Sequence, residues 1–356
     1  MTRLAALRGE GVSIWLDTLS RELLESGHLE RLVRDYEVTG ATSNPTIFEK
    51  AFGSSDRYDG DLRRLPGAEP REAFLELALD DVRRAADLLR DTHERSDGRD
   101  GFVSFEVTPD VAYDTDATVA QALELWSRLD RPNVMIKVPA TAAGVPAAEE
   151  LIAAGVNVNV TLLFAVERYA EIIEAHMRGL ERRADAGLPL DGLASVASFF
   201  VSRVDAKADV QLPERSPLRG RVAIANALRA YELSEQRFAG ERWRRLSERG
   251  ARPQRPLWAS TGTKDPAYSD VLYVEGLVTP GAINTMPEGT LRAFAEHGEV
   301  RLPARDHENV QTEAEHAGVD LQAITEQLEH EGVEAFSRSY DDLLERLKVA
   351  SEATPA

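Results

Sequence analysis

Residues 133–141, Asn-Val-Met-Ile-Lys-Val-Pro-Ala-Thr, have the length and the apolar density of a buried β-strand, yet a lysine lies at their centre. Because side chains alternate across a strand, Lys137 faces the same way as Met135 and opposite to Ile136. A lysine on a buried strand must be paired, must reach water or must lose its proton, and a neutral amine attacks a carbonyl to form a Schiff base. Two interpretations follow: a reactive lysine, or a lysine at the open end of the strand that only reaches water.

Similar short apolar segments recur along the chain, and most are followed by a segment with helical periodicity. They occupy residues 14–17, 38–45, 102–107, 133–141, 156–164, 193–201 and 257–261, with an eighth expected somewhere within 273–284. Strands that alternate with helices predict a parallel sheet, and eight of them predict closure into a barrel. A doubly wound dinucleotide-binding sheet would have a glycine-rich turn after its first strand, and residues 17–20 contain no glycine. The expected fold is α/β, a (β/α)8 TIM barrel with additional surface helices.

Three further segments were assigned from composition and spacing. Residues 53–70 are polar and predict a loop with room for one helical turn, and the acidic residues 304–318 predict a surface linker. The apolar spacing near the C-terminus predicts a helix at about 319–350 that packs on the outside of the barrel. We expect residues 1–356 to form a single barrel domain.

Composition limits the possible partners. The 356-residue chain is 43% hydrophobic and 6% aromatic, with a formal net charge of −19 and no cysteine. Nucleic acid and anionic membranes repel such a surface, so neither is expected as a partner, whereas a phosphorylated substrate needs only a few locally focused cations. The absence of cysteine excludes a disulfide, a thiolate nucleophile and a cysteine-ligated metal. No segment approaches the roughly 18 to 20 apolar residues of a membrane span or resembles a targeting signal, so we expect a cytoplasmic protein. We expect a monomer or a homodimer, and no feature of the sequence distinguishes the two.

Polar residues lie near the carboxyl ends of several predicted strands, where strands buried on both faces should be apolar. In a barrel these ends form the face on which active sites are built. The residues are Asp17, Asn44, Glu106, Lys137, Asn159, Thr161 and Ser198. Because they come from six different strands, they predict a common site better than they predict a set of unrelated structural hydrogen bonds.

The two acids in this set suit Schiff-base chemistry. Imine formation requires the loss of water, and cleavage of a carbon–carbon bond requires removal of a hydroxyl proton. Asp17 and Glu106 could divide these two duties beside Lys137. The alternative is that both carboxylates only neutralise a protonated lysine in a buried ion-pair cluster.

A phosphate site is suggested by basic residues after the sixth and seventh strands. Arg203 and Lys264 are the candidates, and Ser260 offers a hydroxyl in a region where barrels often bind phosphate. The alternative is that both cations are solvated surface charges. Neither His307 nor His316 has a close ligand partner in the sequence, so no metal site is predicted.

With these residues in place, the chain resembles the transaldolases, Schiff-base enzymes of the non-oxidative pentose phosphate pathway. The matching motifs are Trp-Leu-Asp-Thr at 15–18, Thr-Ser-Asn-Pro-Thr at 42–46, Val-Ser-Phe-Glu-Val at 103–107, Met-Ile-Lys-Val-Pro-Ala-Thr at 135–141, Asn-Val-Asn-Val-Thr-Leu-Leu-Phe at 157–164 and Ser-Phe-Phe-Val-Ser-Arg at 198–203. Each motif is weak by itself, but the ordered set is specific. The resemblance implies transfer of a dihydroxyacetone unit from sedoheptulose 7-phosphate or fructose 6-phosphate to glyceraldehyde 3-phosphate or erythrose 4-phosphate, without a metal or organic cofactor.

The resemblance also implies a role for each candidate residue. Lys137 would form the imine, Asp17 would take the hydroxyl proton next to the bond that breaks, and Glu106 with Thr161 would activate the exchanged water. The implied substrate-binding residues, which hold hydroxyls or phosphate, are Thr42, Asn44, Asn159, Ser198, Arg203, Ser260 and Lys264.

This sequence departs from the better-known transaldolases after its seventh strand. Where those proteins have a second phosphate-binding arginine, residues 259–265 read Ala-Ser-Thr-Gly-Thr-Lys-Asp, and Lys264 is a point charge instead of a planar fork. The greater length of the chain resembles actinobacterial and plant forms.

Two other functions were considered. A related aldolase would release dihydroxyacetone to water, but fructose 6-phosphate aldolases resemble a shortened form without a carboxylate matching Glu106. A catalytically silent barrel that binds sugar phosphates would be expected to have lost one of the three central groups, and all three are present.

Overall fold

Eight parallel strands form a closed barrel. The computed structural model describes residues 2–65, 67–304 and 306–352, with side chains as far as residue 349. The strands are β1 (Ser13–Leu16), β2 (Gly40–Thr42), β3 (Val103–Glu106), β4 (Val134–Pro139), β5 (Val158–Leu163), β6 (Ser195–Phe200), β7 (Arg255–Ala259) and β8 (Ile283–Met286). Each strand pairs with the next along the chain, and β8 pairs with β1. The predicted (β/α)8 barrel is confirmed.

Helices surround this barrel. They are α1 (Arg3–Gly9), α2 (Arg21–Glu25), α3 (His28–Asp35), α4 (Pro45–Gly53), α5 (Asp59–Leu62), α6 (Pro70–Arg95), α7 (Thr115–Leu129), α8 (Gly144–Ala154), α9 (Val166–Asp185), α10 (Ser202–Gln211), α11 (Val222–Phe238), α12 (Glu241–Ser247), α13 (Leu272–Glu275), α14 (Glu288–His297), α15 (His307–His316) and α16 (Leu321–Glu352). Two 3-10 turns, Asp56–Tyr58 and Pro109–Val111, accompany them. Among the described helices, none combines the length and the apolar character needed to cross a membrane.

The strand register places three of the predicted site residues side by side. Glu106 on β3 is level with Lys137 on β4, and Lys137 is level with Asn159 on β5. Thr161 pairs with Pro139, two residues further along the same two strands. Because side chains alternate along each strand, Lys137 and Asn159 have their neighbours Ile136 and Val158 on the opposite face.

Close packing between strands depends on one glycine. Trp15 on β1 pairs with Gly40 on β2, and both Trp15 and Trp258 are fully buried. A Cβ atom at Gly40 would lie 2.5 Å from the Trp15 ring, a separation that real structures do not show. A side chain at position 40 would therefore displace Trp15 on β1, the strand that leads to Asp17.

Two sequence-based assignments were wrong. Residues 304–318 were predicted to be a linker, but His307–His316 forms α15. This helix buries His307, Val310 and Ala314, and two apolar residues in an acidic segment give too weak a periodicity to be recognised. The eighth strand lies at Ile283–Met286, later than most of the predicted window, because residues 272–275 form α13 and because polar Asn284 and Thr285 interrupt the apolar run.

The predicted polar loop at 53–70 contains slightly more helix than one turn. The 3-10 turn at Asp56–Tyr58 runs into the four-residue α5. Tyr58 is buried there, and its hydroxyl donates to Asp81 on α6 at 2.8 Å. The segment is thus fastened to α6 by a buried polar side chain.

The long C-terminal helix α16 covers part of the carboxyl face of the barrel. It packs against α4, α6 and α10, and Gly332 approaches Leu162 at the end of β5. The helix therefore contributes side chains to the face on which the predicted site residues lie.

Candidate active site

A cavity of about 280 Å³ opens at the carboxyl ends of the strands. Nine of the eleven residues predicted from the sequence line it: Asp17, Thr42, Asn44, Lys137, Thr161, Ser198, Arg203, Ser260 and Lys264. The other two predicted residues contact members of this set, Glu106 through Lys137 and Asn159 through Ser198. The structure therefore brings all eleven residues into one site.

A larger cavity of about 770 Å³ lies between α9, α11, α15 and α16. Its lining includes Glu167, Arg229 and Asp320, but it contains none of the predicted site residues. The smaller cavity is the better candidate because polar groups from many strands converge there, and convergence matters more than volume for a small-molecule site.

Lys137 is buried at the centre of the site, with 4% of its surface exposed. Its amine donates to the backbone oxygen of Ser43 at 2.9 Å and lies 3.2 Å from Oε2 of Glu106. The latter contact is an ion pair without hydrogen-bond geometry, since Glu106 Oε2 has no hydrogen-bond partner among the described residues. An amine held in this way keeps its position while one direction stays open to the cavity.

Asp17 follows β1 directly and is fixed by a neighbouring hydroxyl. Thr42 on β2 donates to Asp17 Oδ1 at 2.8 Å, and the Thr42 and Thr285 hydroxyls are 2.9 Å apart. Enclosure by the protein raises the pKa of Asp17, and the positive charge of Lys137 opposes this rise. A carboxyl group in this environment is suited to accept a proton and to return it.

Glu106 lies beside Lys137, Thr161 lines the same cavity as Lys137, and both residues are buried. Burial raises the pKa of Glu106, and the charge of Lys137 partly offsets this effect. Glu106 Oε2 and Thr161 Oγ1 each lack a hydrogen-bond partner among the described residues. Because buried polar atoms are nearly always satisfied, these two atoms are available for a group that takes part in the reaction.

The two asparagines differ in how they are held. Asn44 caps α4, because its Oδ1 accepts from the Ile47 backbone N–H at 3.0 Å, and this leaves its amide nitrogen for the cavity that it lines. Asn159 donates to Ser104 Oγ at 2.9 Å and accepts from Ser198 Oγ at 2.7 Å. Asn159 is therefore rigidly oriented beside Lys137.

Three cations lie at the rim of the cavity. Arg203 is the second residue of α10 and stacks over the Phe200 ring at 5.4 Å, and Lys264 lies in the loop after β7. Lys50, on α4, was not predicted. Partial desolvation and the charge of Arg203 lower the pKa of Lys264. Cations gathered so closely are suited to hold a phosphate group.

Ser260 has an unusual backbone conformation beside these cations. Its φ of +55° lies in the left-handed region, which serine rarely occupies, and its hydroxyl lies 3.0 Å from that of Ser202. Such strain is concentrated at functional sites. The strained turn places the Ser260 hydroxyl on the wall of the cavity.

Nine of the eighteen lining residues were not predicted from the sequence, and Lys50, Thr285 and Phe336 are three of them. Lys50 follows Thr46 by four residues, so both lie on the same face of α4, and this spacing was a usable signal. Thr285 lies on the misplaced eighth strand. Phe336 is about 200 residues distant from Lys137 in sequence, and no local pattern links them.

The sequence matches one protein family over nearly its whole length. The family described as Transaldolase/Fructose-6-phosphate aldolase matches residues 14–347. Transaldolase 1 of Streptomyces coelicolor is 51% identical over 353 residues, which is 96% of this chain and 93% of that protein. Transaldolase 1 of Streptomyces avermitilis is 49% identical over 96% of this chain and 94% of its own length, and the transaldolase of Saccharopolyspora erythraea is 48% identical over 98% and 97%. With a match that covers nearly all of its length, the chain belongs to the transaldolase/fructose-6-phosphate aldolase family.

Proposed function

We propose that this protein is a transaldolase that moves a dihydroxyacetone unit between sugar phosphates through a Schiff base on Lys137. The observation that supports the proposal most is the position of the Lys137 amine, buried 3.2 Å from Glu106 in a site that also holds Asp17. The donors are sedoheptulose 7-phosphate or fructose 6-phosphate, and the acceptors are glyceraldehyde 3-phosphate or erythrose 4-phosphate. These are reactions of the non-oxidative pentose phosphate pathway.

The first step joins Lys137 to the donor. Lys137 transfers a proton to Glu106, the amine adds to the ketone carbon, and the carbinolamine then loses water to give the imine. Glu106, which lies 3.2 Å from the amine, delivers the proton to the departing hydroxyl, and Thr161, which lines the same cavity, holds the water that is released. The same groups activate water when the final imine is hydrolysed.

The second step breaks the carbon–carbon bond. Asp17 takes the proton from the hydroxyl next to that bond, the aldose phosphate leaves, and its two bonding electrons remain on the three-carbon unit as an enamine. Thr42 holds the Asp17 carboxylate in position. When the acceptor aldehyde arrives, the enamine carbon attacks it and Asp17 returns the proton to the new hydroxyl.

Binding of the substrate is assigned to two groups of residues. Asn44 and Asn159 hold the hydroxyls of the three-carbon unit. Ser198 keeps the phosphate-side role that the resemblance implies for it, and it also donates to Asn159. Arg203 and Lys264 with Ser260 hold the phosphate, and we add Lys50 to this group because it lines the same rim.

The alternative activity within the family is an aldolase that releases dihydroxyacetone to water. Glu106 favours transfer, since the aldolases considered above have no matching carboxylate. The test is to measure turnover of fructose 6-phosphate with and without erythrose 4-phosphate. Transfer predicts that turnover depends on the acceptor, whereas a hydrolytic aldolase would turn over equally well in its absence.

A silent sugar-phosphate-binding barrel is the alternative from another functional class. Stabilisation by sugar phosphates in a thermal-shift experiment, without turnover in the parallel assay, would support it. A cytoplasmic location and a monomeric or homodimeric state are further parts of our proposal. Gel filtration with light scattering would measure the subunit number.

A further inference from the structure

Helix α16 crosses the carboxyl face of the barrel and is fastened on both sides of the cavity. On one side Glu329 lies 3.7 Å from Arg168 of α9, and Glu331 bonds Lys207 of α10 at 2.9 Å. On the other side two contacts reach α4: Ser339 to Thr46 at 2.8 Å and Arg346 to Glu49 at 3.2 Å. The middle of the helix is therefore held over the site.

Helix α16 packs against an irregular part of β5. The register between β5 and β6 shifts between Val160 and Leu163, and Leu162 has a φ of +58°. A Cβ atom at Gly332 of α16 would lie 2.9 Å from the Leu162 side chain, so the glycine permits the close approach. The contact lies directly beside Thr161, which lines the cavity.

Phe336 is one turn beyond Gly332 and points into the site. It is 3% exposed, and it forms part of the wall of the cavity that contains Lys137. It also lines a small neighbouring cavity of about 10 Å³, together with Glu106, Pro139 and Leu162. Phe336 thus lines one cavity that contains Lys137 and a second cavity that contains Glu106.

An apolar ring at this position affects what happens to the intermediate on Lys137, because water can react with that intermediate. After cleavage, the enamine on Lys137 has two fates. It can attack an acceptor aldehyde, or its carbon can take a proton, after which water adds to the iminium carbon, the carbon–nitrogen bond breaks and dihydroxyacetone leaves. Bulk water near the intermediate favours the second fate, and closure of a site suppresses such side reactions.

We propose that Phe336 is a specificity-determining residue, which limits the access of bulk water to the lysine-bound three-carbon intermediate and so favours transfer over release. The proposal rests on the proposed transaldolase activity. It assigns to the C-terminal helix an effect on the outcome of the reaction, while Glu106 and Thr161 keep the single water that imine exchange requires.

The test compares Phe336→Ala with the wild-type protein. Two rates are measured with fructose 6-phosphate: release of dihydroxyacetone without acceptor, and transfer to erythrose 4-phosphate. For Phe336→Ala we expect the ratio of release to transfer to rise roughly tenfold, which corresponds to about 1.4 kcal/mol between the competing barriers. Because both products come from the same active molecules, a lower folded fraction does not change the ratio.

Two control variants sharpen the result. Phe336→Leu keeps an apolar side chain and is expected to retain a ratio near that of the wild type. Val349→Ala changes a residue of the same helix that is 56% exposed, and it should leave the ratio unchanged. An unchanged ratio in Phe336→Ala, or an equal rise in Val349→Ala, overturns the proposal. Absence of transfer by the wild-type protein would refute the proposed function instead, so the two failures are distinguishable.

Discussion

The two carboxylates beside Lys137 differ in their surroundings, and this difference supports their different duties. Asp17 accepts a hydrogen bond from Thr42, whereas Glu106 has an oxygen without a hydrogen-bond partner among the described residues. A carboxylate with a fixed orientation suits transfer of one defined substrate proton. A carboxylate that faces the reacting amine and is not held by a hydrogen bond suits activation of a water molecule at that amine.

Replacement of Asp17 tests the first duty. We expect Asp17→Asn to lower kcat for transfer by roughly 10²- to 10⁴-fold, the usual range for loss of a general acid–base group. Imine formation does not need this carboxylate, so borohydride should still trap the donor on Lys137. Loss of the trapped adduct together with kcat would contradict the assignment and place Asp17 in imine formation.

The pH dependence of the reaction tests the same residue. Enclosure raises the pKa of Asp17 above its ordinary value of 3.8, so the carboxyl group keeps its proton to a higher pH than free aspartate does. The basic form is lost as the pH falls through this raised pKa. The acidic limb of kcat/KM should therefore lie above pH 3.8. A profile that stays flat down to that pH would show that the titration of Asp17 does not limit the reaction.

Lys50 gives a test of phosphate binding. Since hydrogen bonds to charged groups contribute about 1.5 to 3 kcal/mol, Lys50→Ala should raise KM for fructose 6-phosphate by roughly ten- to a hundredfold. Arg244→Ala removes the same charge from a side chain that is 66% exposed on α12, and it should have little effect. Equal effects of the two variants would mean that overall charge, and not contact at the rim, determines KM.

At the scale of elements, the start of α2 is held by a buried ion-pair cluster. Arg21 is 1% exposed and contacts Asp61, Asp80 at 3.1 Å and Asp81 at 2.8 Å. Tyr58 donates to the second oxygen of Asp81. Through these contacts, the segment after Asp17 and the polar segment after α4 are both fastened to α6.

Removal of the Arg21 side chain would leave the negative charge of Asp81 buried without a cation to pair with it. We expect Arg21→Met to lower the free energy of unfolding by roughly 3 to 5 kcal/mol, because Asp81 has no exposed surface and would lose its cation. Urea denaturation measures this change. Arg34→Met breaks an exposed pair with Asp35 and should leave the free energy of unfolding nearly unchanged. If both variants lowered the free energy of unfolding by similar amounts, the buried cluster would not be the main contributor to stability that we infer.

The sequence predicted elements well where one pattern dominated. Strand β4 and the alternation of polar and apolar residues around Asn159 were assigned from periodicity, and the structure has strands there. Helix α15 was missed because its buried face consists of His307, Val310 and Ala314 in an acidic segment. Strand β8 was misplaced because its four residues include the buried polar residues Asn284 and Thr285, which break the apolar run. Thr285 lines the cavity, and Asn284 accepts a hydrogen bond from Thr261.

At the scale of the whole molecule, the candidate site is a product of barrel closure. The polar residues at the strand ends could be predicted, because a barrel directs those ends to one face whatever the loops between them. The contribution of α16 to the site could not be predicted from the sequence. The close approach of Gly332 to Leu162 depends on an irregularity in β5, and the two residues are distant in sequence. The rim cations stand out against a net charge of −19, so they concentrate the positive potential where an anionic substrate enters.

The central claim is that the Lys137 amine becomes covalently joined to the donor ketone. Borohydride reduction in the presence of fructose 6-phosphate, followed by peptide mass mapping, tests it most directly. We predict a three-carbon adduct on Lys137 and none on Lys207 or Lys264, because only the first amine lies beside Glu106 in the buried part of the site. An adduct on another lysine, or an active protein that yields no adduct, would contradict the Schiff-base mechanism.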